Sequence, residues 1–315
     1  MNLSKFILYS YIYSLRTVWS LKNPTLFMKS RRDFLQLSSM GLMSAYLPKS
    51  LNLISLNQKP KLSLQLYTVR DQIKNDLRGT IKKIADLGFK NVETAFWPEG
   101  VSLAEAASVL KEFKLNISSC HIELPVGDQQ ETFLAIAKAF NCKNLIWHGW
   151  PEDKRYSSLE GTKALVKIYN DANRFAKANG LHFGLHNHWW EFRNKVSDKF
   201  VYEVLLEELD KDIFFEIDTY WVKVAGHDPA KIIHQFGERV KLMHVKDGPA
   251  LYNDRLAIDN PDPMTPVGQG SQNFPSIFKA AGSSCEWLVI EMDKTAIDVF
   301  DALKQSVDYM KPFVV

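Results

Sequence analysis

Seven of the eight segments predicted to be β-strands end in a side chain that can bind a metal or exchange a proton. In chain order these residues are Glu93, His121, His148, His186, Asp218, His244 and Glu291. A carboxylate or imidazole at the end of an apolar strand needs a partner, because burying it unpaired costs several kcal/mol. A divalent cation would neutralise the carboxylates and satisfy the imidazoles together, provided that the fold brings the strand ends to one place.

The elements that must position these residues alternate along the chain from Lys61 onward. The predicted strands are 62–67, 91–96, 116–121, 143–148, 181–187, 213–218, 240–246 and 286–292. Stretches with helical spacing of apolar residues separate them, for example Leu77, Ile81, Ile84 and Leu87. Eight strand–helix units in residues 61–315 predict a single-domain α/β (β/α)₈ TIM barrel, a fold of about 250 residues whose chemistry lies at the carboxyl ends of the strands. A doubly wound sheet is the alternative, but it usually opens on a glycine-rich loop that this sequence lacks.

Tryptophans cluster near the same strand ends. We expect Trp97, Trp150, Trp189 and Trp221 to stack on the C–H faces of a sugar. Lys246 shares a strand face with His244, where it would either polarise a substrate oxygen or form an ion pair with Asp247. The glycines of 268–270 (Gly-Gln-Gly) are a weak phosphate signal and predict a plain turn, so the expected substrate is not phosphorylated.

Four strand endings resemble those of the sugar phosphate isomerase/epimerase superfamily, the xylose isomerase-like barrel group. They are 185–192 (LHNHWWEF), 216–219 (EIDT), 243–247 (MHVKD) and 289–292 (VIEM). The resemblance implies one divalent ion, expected to be Mn²⁺, Zn²⁺ or Co²⁺, held by residues that end strands five to eight. Asp218, His244 and Glu291 match three of these positions. At strand five the family commonly has Glu and this chain has His186, so we expect His186 as the fourth ligand, with Glu191 as the alternative.

The resemblance further implies proton transfer next to a sugar carbonyl through an enediolate, with Glu291 as the base. Glu191 or Glu93 would move the second proton, and His188 is a further candidate. His121 and His148 are expected to bind substrate hydroxyls together with His188. We expect an isomerase or epimerase. The close alternative is a lyase, dehydratase or hydratase of keto-sugars or keto-glycosides, and a third is a non-catalytic sugar- or metal-binding barrel.

Charge and motif spacing argue against nucleic acid as a partner. Residues 1–60 carry eight Lys and Arg against the single acid Asp33, so residues 61–315 carry 31 basic and 35 acidic side chains. Binding to a duplex normally requires clustered positive charge. The endonuclease branch of the superfamily also has Asp-x-x-His on strand six, where this chain has Asp218-Thr219-Tyr220-Trp221. We therefore expect a small sugar as the ligand, and a homo-oligomer remains open.

The first sixty residues are predicted to contain an export signal. Arg31 and Arg32 precede the apolar run 34–47, which resembles a twin-arginine signal and is shorter than the ~20 residues of a membrane span. An amphipathic surface helix is the alternative. We expect residues 1–27 to be an upstream extension with the true start at Met28, residues 28–60 to be signal and linker, and the barrel to occupy 61–315. The protein would be exported by the twin-arginine machinery to the periplasm, with retention by an uncleaved signal as a variant.

One buried pair is also predicted below the strand ends. His182 and Glu216 share the inward parity of His186 and Asp218, so we expect a hydrogen bond between them that supports the site.

Overall fold

The computed structural model describes residues 59–257 and 261–315. The predicted upstream extension 1–27 and all but the last two residues of the predicted signal and linker 28–60 lie outside them. Each of the eight predicted strands overlaps a strand of the structure. These strands are β1 Lys61–Gln65, β2 Asn91–Thr94, β3 Asn116–Ile122, β4 Asn144–Trp147, β5 His182–His186, β6 Phe214–Asp218, β7 Val240–Val245 and β8 Trp287–Ile290. A short antiparallel hairpin pairs Lys195–Val196 with Lys199–Phe200.

Helices follow the strands around the outside of the sheet. Within the described residues they are α1 Arg70–Asn75, α2 Leu77–Asp86, α3 Leu103–Glu112, α4 Gln129–Phe140, α5 Leu159–Ala178, α6 Trp190–Arg193, α7 Val201–Glu208, α8 Thr219–Val224, α9 Pro229–Phe236, α10 Phe274–Ala281 and α11 Val299–Met310. Three 3₁₀ turns lie at Leu66–Val69, Lys154–Ser157 and Gly237–Arg239. None of the described helices is both long and apolar enough to cross a membrane.

The eight strands are all parallel and close into a barrel in the order β1-β8-β7-β6-β5-β4-β3-β2. Closure confirms the predicted single-domain TIM barrel and excludes the doubly wound sheet, which is open. Because all strands run the same way, their carboxyl ends meet at one mouth of the barrel.

Two apolar layers hold the barrel together. The larger lies between the strands and the surrounding helices. The smaller closes the interior of the barrel with Ile146, Phe214, Leu242 and Val289. Gly184 is required beside this floor, since a Cβ there would lie 2.3 Å from the Phe214 ring. Polar side chains on the same inward faces therefore lie above an apolar plug, towards the mouth.

Candidate active site

Four metal-type side chains from neighbouring strands converge at the mouth. His186 ends β5, Asp218 ends β6, His244 lies in β7, and Glu291 directly follows β8. One donor atom from each lies within 4.8 Å of the other three. All four residues are buried, and Asp218 and His244 have no exposed surface. The structure thus brings together the four residues that the sequence singles out as ligands.

The two carboxylate oxygens of Asp218 have different roles. Its Oδ1 accepts hydrogen bonds from the backbone N–H groups of Tyr220 and Trp221, so it caps α8. Its Oδ2 is buried without a well-aligned hydrogen-bond donor. The cap fixes the carboxylate and leaves Oδ2 directed at the other donors.

Outer partners orient the rings of the two histidines. His244 Nε2 lies 2.7 Å from Glu93 Oε1, to which it donates. Burial would lower the pKa of His244, but Glu216, Glu291 and Glu93 raise it well above its ordinary value, so Nδ1 carries a proton that a bound cation would have to displace. His186 Nδ1 lies 3.2 Å from the carbonyl oxygen of His148 and donates there, which leaves Nε2 as a lone pair. Burial, with His244 nearby, lowers the pKa of His186 to about 4, so this ring is neutral. Outer-shell partners orient metal-binding histidines in this way.

The four donors converge on one region, and His244 Nδ1 and Glu291 Oε2, now at hydrogen-bond distance, would have to separate to share a cation. His186 Nε2 and His244 Nδ1 are 3.0 Å apart, and His244 Nδ1 lies 2.6 Å from Glu291 Oε2. Asp218 Oδ2 lies 3.6 Å from His186 Nε2 and 3.9 Å from His244 Nδ1. Ligands bound tetrahedrally at 2.0–2.2 Å are roughly 3.3–3.6 Å from each other. In this structure the protonated His244 ring and the Lys246 ammonium offset the charge of the two carboxylates, and a bound cation would take over part of that role.

A second layer of carboxylates and imidazoles lies beneath these donors and shares His244. Glu216 Oε2 is 2.7 Å from His121 Nε2 and 3.2 Å from His244 Nε2. Burial and the neighbouring Glu216 raise the pKa of Glu93. Burial alone would raise the pKa of Glu216, but His244 and His121 lower it well below its ordinary value. Gln65 and Ser119 donate further hydrogen bonds to Glu93.

Glu93 is thereby placed under the site rather than in it. Its side chain is fully buried, and both of its oxygens accept hydrogen bonds. It does not line the cavity at the mouth. The expected role as a mobile acid or base is not favoured by this placement, whereas a role in orienting His244 is.

Lys246 lies among three carboxylates at the mouth. Its Nζ is 2.9 Å from Asp218 Oδ2, 2.7 Å from Glu291 Oε2 and 2.8 Å from Asp293 Oδ2. Burial would lower its pKa, but these carboxylates raise it well above its ordinary value, so the group is an ammonium. Burial raises the pKa of Asp293 to about 6.

The expected alternative, an ion pair between Lys246 and Asp247, is wrong. Asp247 instead accepts the backbone N–H groups of Gly248, Gly268, Gly270 and Gln272. The Gly-Gln-Gly segment is therefore a turn folded onto a carboxylate, as predicted, and those N–H groups are not directed at a ligand.

A cavity of about 230 Å³ opens above the four donors. The residues that line it are Tyr67, Ala95, Phe96, His121, His148, Trp150, His186, His188, Lys246, Glu291 and Asp293. Four of these residues are among those that the sequence predicts to contact the substrate: His121, His148, His188 and Trp150. Burial lowers the pKa of His148 to about 3, so this ring is neutral and is a weak base.

Glu191 is not brought to this cavity. It lies in the first turn of the short helix α6, and its Oε2 accepts the N–H of His188 at 3.0 Å. Its carboxyl lines a separate small cavity with Tyr156 and Tyr169, behind the barrel wall. Burial raises its pKa to about 8, so it is protonated at neutral pH. The structure does not support Glu191 as a ligand or as an acid/base group.

The tryptophans also separate into different environments. Trp150 is 46% exposed at the mouth. Trp221 is fully buried and packs on Trp189, with ring centroids 4.9 Å apart, and neither lines the mouth cavity. Trp97 stacks on Phe140 in a neighbouring cavity. Direct stacking on a ligand in the mouth cavity is thus geometrically open to Trp150 but not to Trp189 or Trp221.

The predicted His182–Glu216 bond is wrong because of the strand register. Residue 186 of β5 pairs with Glu216, so His182 lies four residues below that level, about 13 Å away. His182 is exposed and its Nδ1 contacts Asn144 Oδ1 instead. The carboxylate of Glu216 instead contacts the rings of His121 and His244. The alternation of inward- and outward-facing residues did not identify these partners.

Two mouth residues were missed in the sequence. Asp293 follows Glu291 by two residues and so shares its face, a signal that would have found it. Phe96 is 53% exposed at the mouth, and its ring contacts His148 edge-on at 5.0 Å. Nothing in the sequence pattern indicates that Phe96, an aromatic residue just beyond a strand, lies at the mouth.

The fold and the donor set together define a (β/α)₈ barrel with a cluster of metal-type ligands at its catalytic face. This chain belongs to the xylose isomerase-like TIM barrel family, whose sequence profile matches residues 81–313. No curated protein sequence matches it.

Solved structures share the fold at low sequence identity. A sugar phosphate isomerase/epimerase from Parabacteroides distasonis is 21% identical, with a TM-score of 0.65 over 85% of this chain and 100% of that one. A D-allulose 3-epimerase from Methylomonas sp. is 17% identical, with a TM-score of 0.60 over 82% and 99%. A probable 3-DHS dehydratase from Bacillus anthracis is 16% identical, with a TM-score of 0.59 over 80% and 98%. The structural neighbours thus include sugar isomerases and epimerases as well as a dehydratase.

Proposed function

We propose that this protein is a divalent-metal-dependent sugar isomerase or epimerase that moves a proton next to a carbonyl on an unphosphorylated sugar. The observation that carries this proposal is the convergence of four donor atoms beside a polar cavity at the mouth of the barrel. The sugar isomerases and epimerases among the structural neighbours support the same class.

The cation would be held by His186 Nε2, Asp218 Oδ2, His244 Nδ1 and Glu291 Oε2. Two imidazoles and two carboxylates suit Mn²⁺, Zn²⁺ or Co²⁺. When bound, such an ion supplies a positive charge that stabilises negative charge developing on substrate oxygens.

The proton is handled by carboxylates that line the cavity. Glu291 is placed to remove the proton from the carbon next to the carbonyl. Asp293, whose Oδ2 lies 2.8 Å from Lys246 Nζ, takes the role of the second acid/base group that was expected of Glu191 or Glu93. The Lys246 ammonium holds both carboxylates close together, and its positive charge stabilises the negative charge that they carry.

The surroundings of the cavity favour an unphosphorylated substrate. Glu291 and Asp293 would repel a phosphate, and Lys246, the cation in the cavity lining, is already shared among three carboxylates. The N–H groups of Gly268 and Gly270 are bound by Asp247. A strong preference for phosphorylated over free sugars would contradict this part of the proposal.

A second candidate, elimination or hydration of a keto-sugar, is favoured by one observation. The carboxylates that line the cavity both follow β8, and thus lie on one wall, while the imidazoles His148 and His188 belong to the strand β4 and β5 side. Epimerisation needs proton exchange on both faces of a carbon, whereas elimination needs one base and an acid for the leaving group. In elimination the C–H bond next to the carbonyl and the C–O bond at the following carbon break, a C=C bond forms, and the leaving oxygen takes a proton.

Both reactions begin with the same step, so one experiment tests the class and separates the two. Protein loaded with Mn²⁺ is incubated in D₂O with a free ketose and with a 3-keto-glycoside. Deuterium incorporation with formation of a new sugar supports isomerisation or epimerisation, and a released aglycone supports elimination. Tight sugar binding with no deuterium incorporation into any sugar would instead show a non-catalytic binding barrel. His244→Ala serves as the control that lacks a ligand.

We further propose that residues 28–60 direct export through the twin-arginine machinery to the periplasm. The support is the Arg31-Arg32 pair before the apolar run 34–47. Replacing both arginines by lysine should leave the protein in the cytoplasmic fraction. Sequencing the N-terminus of the precursor tests whether translation starts at Met28.

A further inference from the structure

A second cavity adjoins the one at the mouth. It has a volume of about 250 Å³ and lies between the segment that follows β2 and the helices α3 and α4. The two cavities share Ala95, Phe96 and His121 in their linings. A ligand seated over the four donors therefore lies beside residues that also line the side cavity, so a substituent that passes the Phe96 ring would enter it.

The side cavity is chemically unlike the mouth. Its lining is mainly apolar, and the uncharged polar side chains Thr94, Gln129 and Thr132 are its exceptions. The apolar residues include Val101, Leu103, Phe133, Ile136 and Phe140. Titratable groups are sparse in its lining: His121, shared with the mouth, and Glu123, whose side chain is 50% exposed. The mouth, in contrast, collects histidines, carboxylates and a lysine.

The ring of Phe96 marks the boundary between the two cavities. It is 53% exposed and lies beside a polar site. Covering such a surface with an apolar group is favourable in proportion to the area removed from water. Trp97 adds one unpartnered donor, since its Nε1 has no hydrogen-bond partner among the described residues.

We infer that the side cavity binds an apolar substituent of the sugar, so that the substrate is a keto-sugar that carries an aryl or similar apolar group, such as an aryl 3-keto-glycoside, rather than a free monosaccharide. This inference rests on the proposed function, because it takes the sugar itself to lie over the four donors. A second sugar ring is a poorer occupant, since it would place several hydroxyls against a lining that is mainly apolar.

The test compares matched ligands that differ only in the substituent. Methyl and phenyl β-D-glucopyranoside serve as unreactive analogues, because they lack the carbonyl next to which the proton is removed. Their affinities for the full-length Mn²⁺-loaded protein are measured by titration calorimetry. Burying the phenyl ring should make the phenyl glycoside bind about tenfold more tightly or better. Equal affinities would overturn the inference, and so would a methyl disaccharide that binds as tightly as the phenyl glycoside.

Two variants locate the effect. Thr132→Trp, at the exposed rim of the side cavity, should reduce the affinity ratio to less than about threefold. Ile136→Trp fills the interior of the cavity and should do the same. Glu131→Trp places the same side chain on the same helix outside the cavity lining, and should leave the ratio unchanged. A preference for phenyl that persists in Thr132→Trp would overturn the assignment to this cavity.

Failure of the inference is distinguishable from failure of the proposed function. A phenyl preference in binding, without turnover of any sugar, would uphold the side cavity and refute the enzyme. Turnover of sugars with no preference for an apolar substituent would do the reverse.

Discussion

Glu93→Gln should weaken metal binding without changing the shape of the site. The amide oxygen can still accept the N–H of His244, and the amide nitrogen can face Ser119 Oγ, but the negative charge that makes His244 a better ligand is lost. Loss of an outer-shell partner typically costs 10–100-fold in metal affinity. At a metal concentration 100 times the wild-type Kd, the bound ion stabilises the fold by about 2.7 kcal/mol. A tenfold weaker site would gain only about 1.4 kcal/mol at that concentration.

This difference can be measured as a thermal shift and as a direct affinity. For a domain of this size, 1.3 kcal/mol corresponds to a Tm gain that is roughly 3–5 °C smaller on adding Mn²⁺. Competition with a chelator gives Kd independently of stability. Glu191→Gln is the matched control, because Glu191 is an equally buried carboxyl outside the donor clusters. Equal metal affinity in wild type and Glu93→Gln would refute the proposed orienting role of Glu93.

Three further outcomes are expected. His244→Ala removes a ligand that both donor clusters share, so elemental analysis should find its bound metal reduced to a small fraction of the wild-type content, and unchanged stoichiometry would contradict the site. The Glu191 carboxyl keeps its proton to about pH 8 when folded but only to about pH 4.5 when unfolded, so wild-type stability should fall as pH rises from about 5 to 8. That fall is worth up to about 4 kcal/mol, and Glu191→Gln should abolish it in urea titrations across this range. Asp247→Ala leaves four backbone N–H groups without their acceptor and should lower the free energy of unfolding by about 3 kcal/mol, which urea denaturation at pH 7 measures.

The fold and the location of the site could be predicted because they depend on periodicity. Alternation within a parallel strand fixes which residues face the interior, and closure of the barrel brings the strand ends together whatever the loops do. Asp218, His244 and Glu291 were therefore grouped correctly although they are far apart in sequence. His186 joined them because it ends β5, even though its residue type departs from the related enzymes.

What could not be predicted depends on the register between strands and on local turns. The offset between β5 and β6 places His182 level with the residues before β6, so a pair chosen by parity alone did not meet. Glu191 belongs to one helical turn, where capping the N–H of His188 directs it away from the mouth. The hydrophobic pattern of the sequence indicates neither the strand register nor this turn.

The apolar floor of the barrel has a consequence for proton traffic. The amino-terminal end of the barrel is blocked by Ile146, Phe214, Leu242 and Val289. The buried carboxyls of Glu93 and Glu216, beneath His244, therefore exchange protons with water through the mouth of the barrel. A ligand bound tightly at the mouth of the barrel would close this route. The imidazole N–H of His244 should then be among the slowest hydrogens in the protein to exchange with deuterium. Its exchange rate would measure the residence time of the bound ligand.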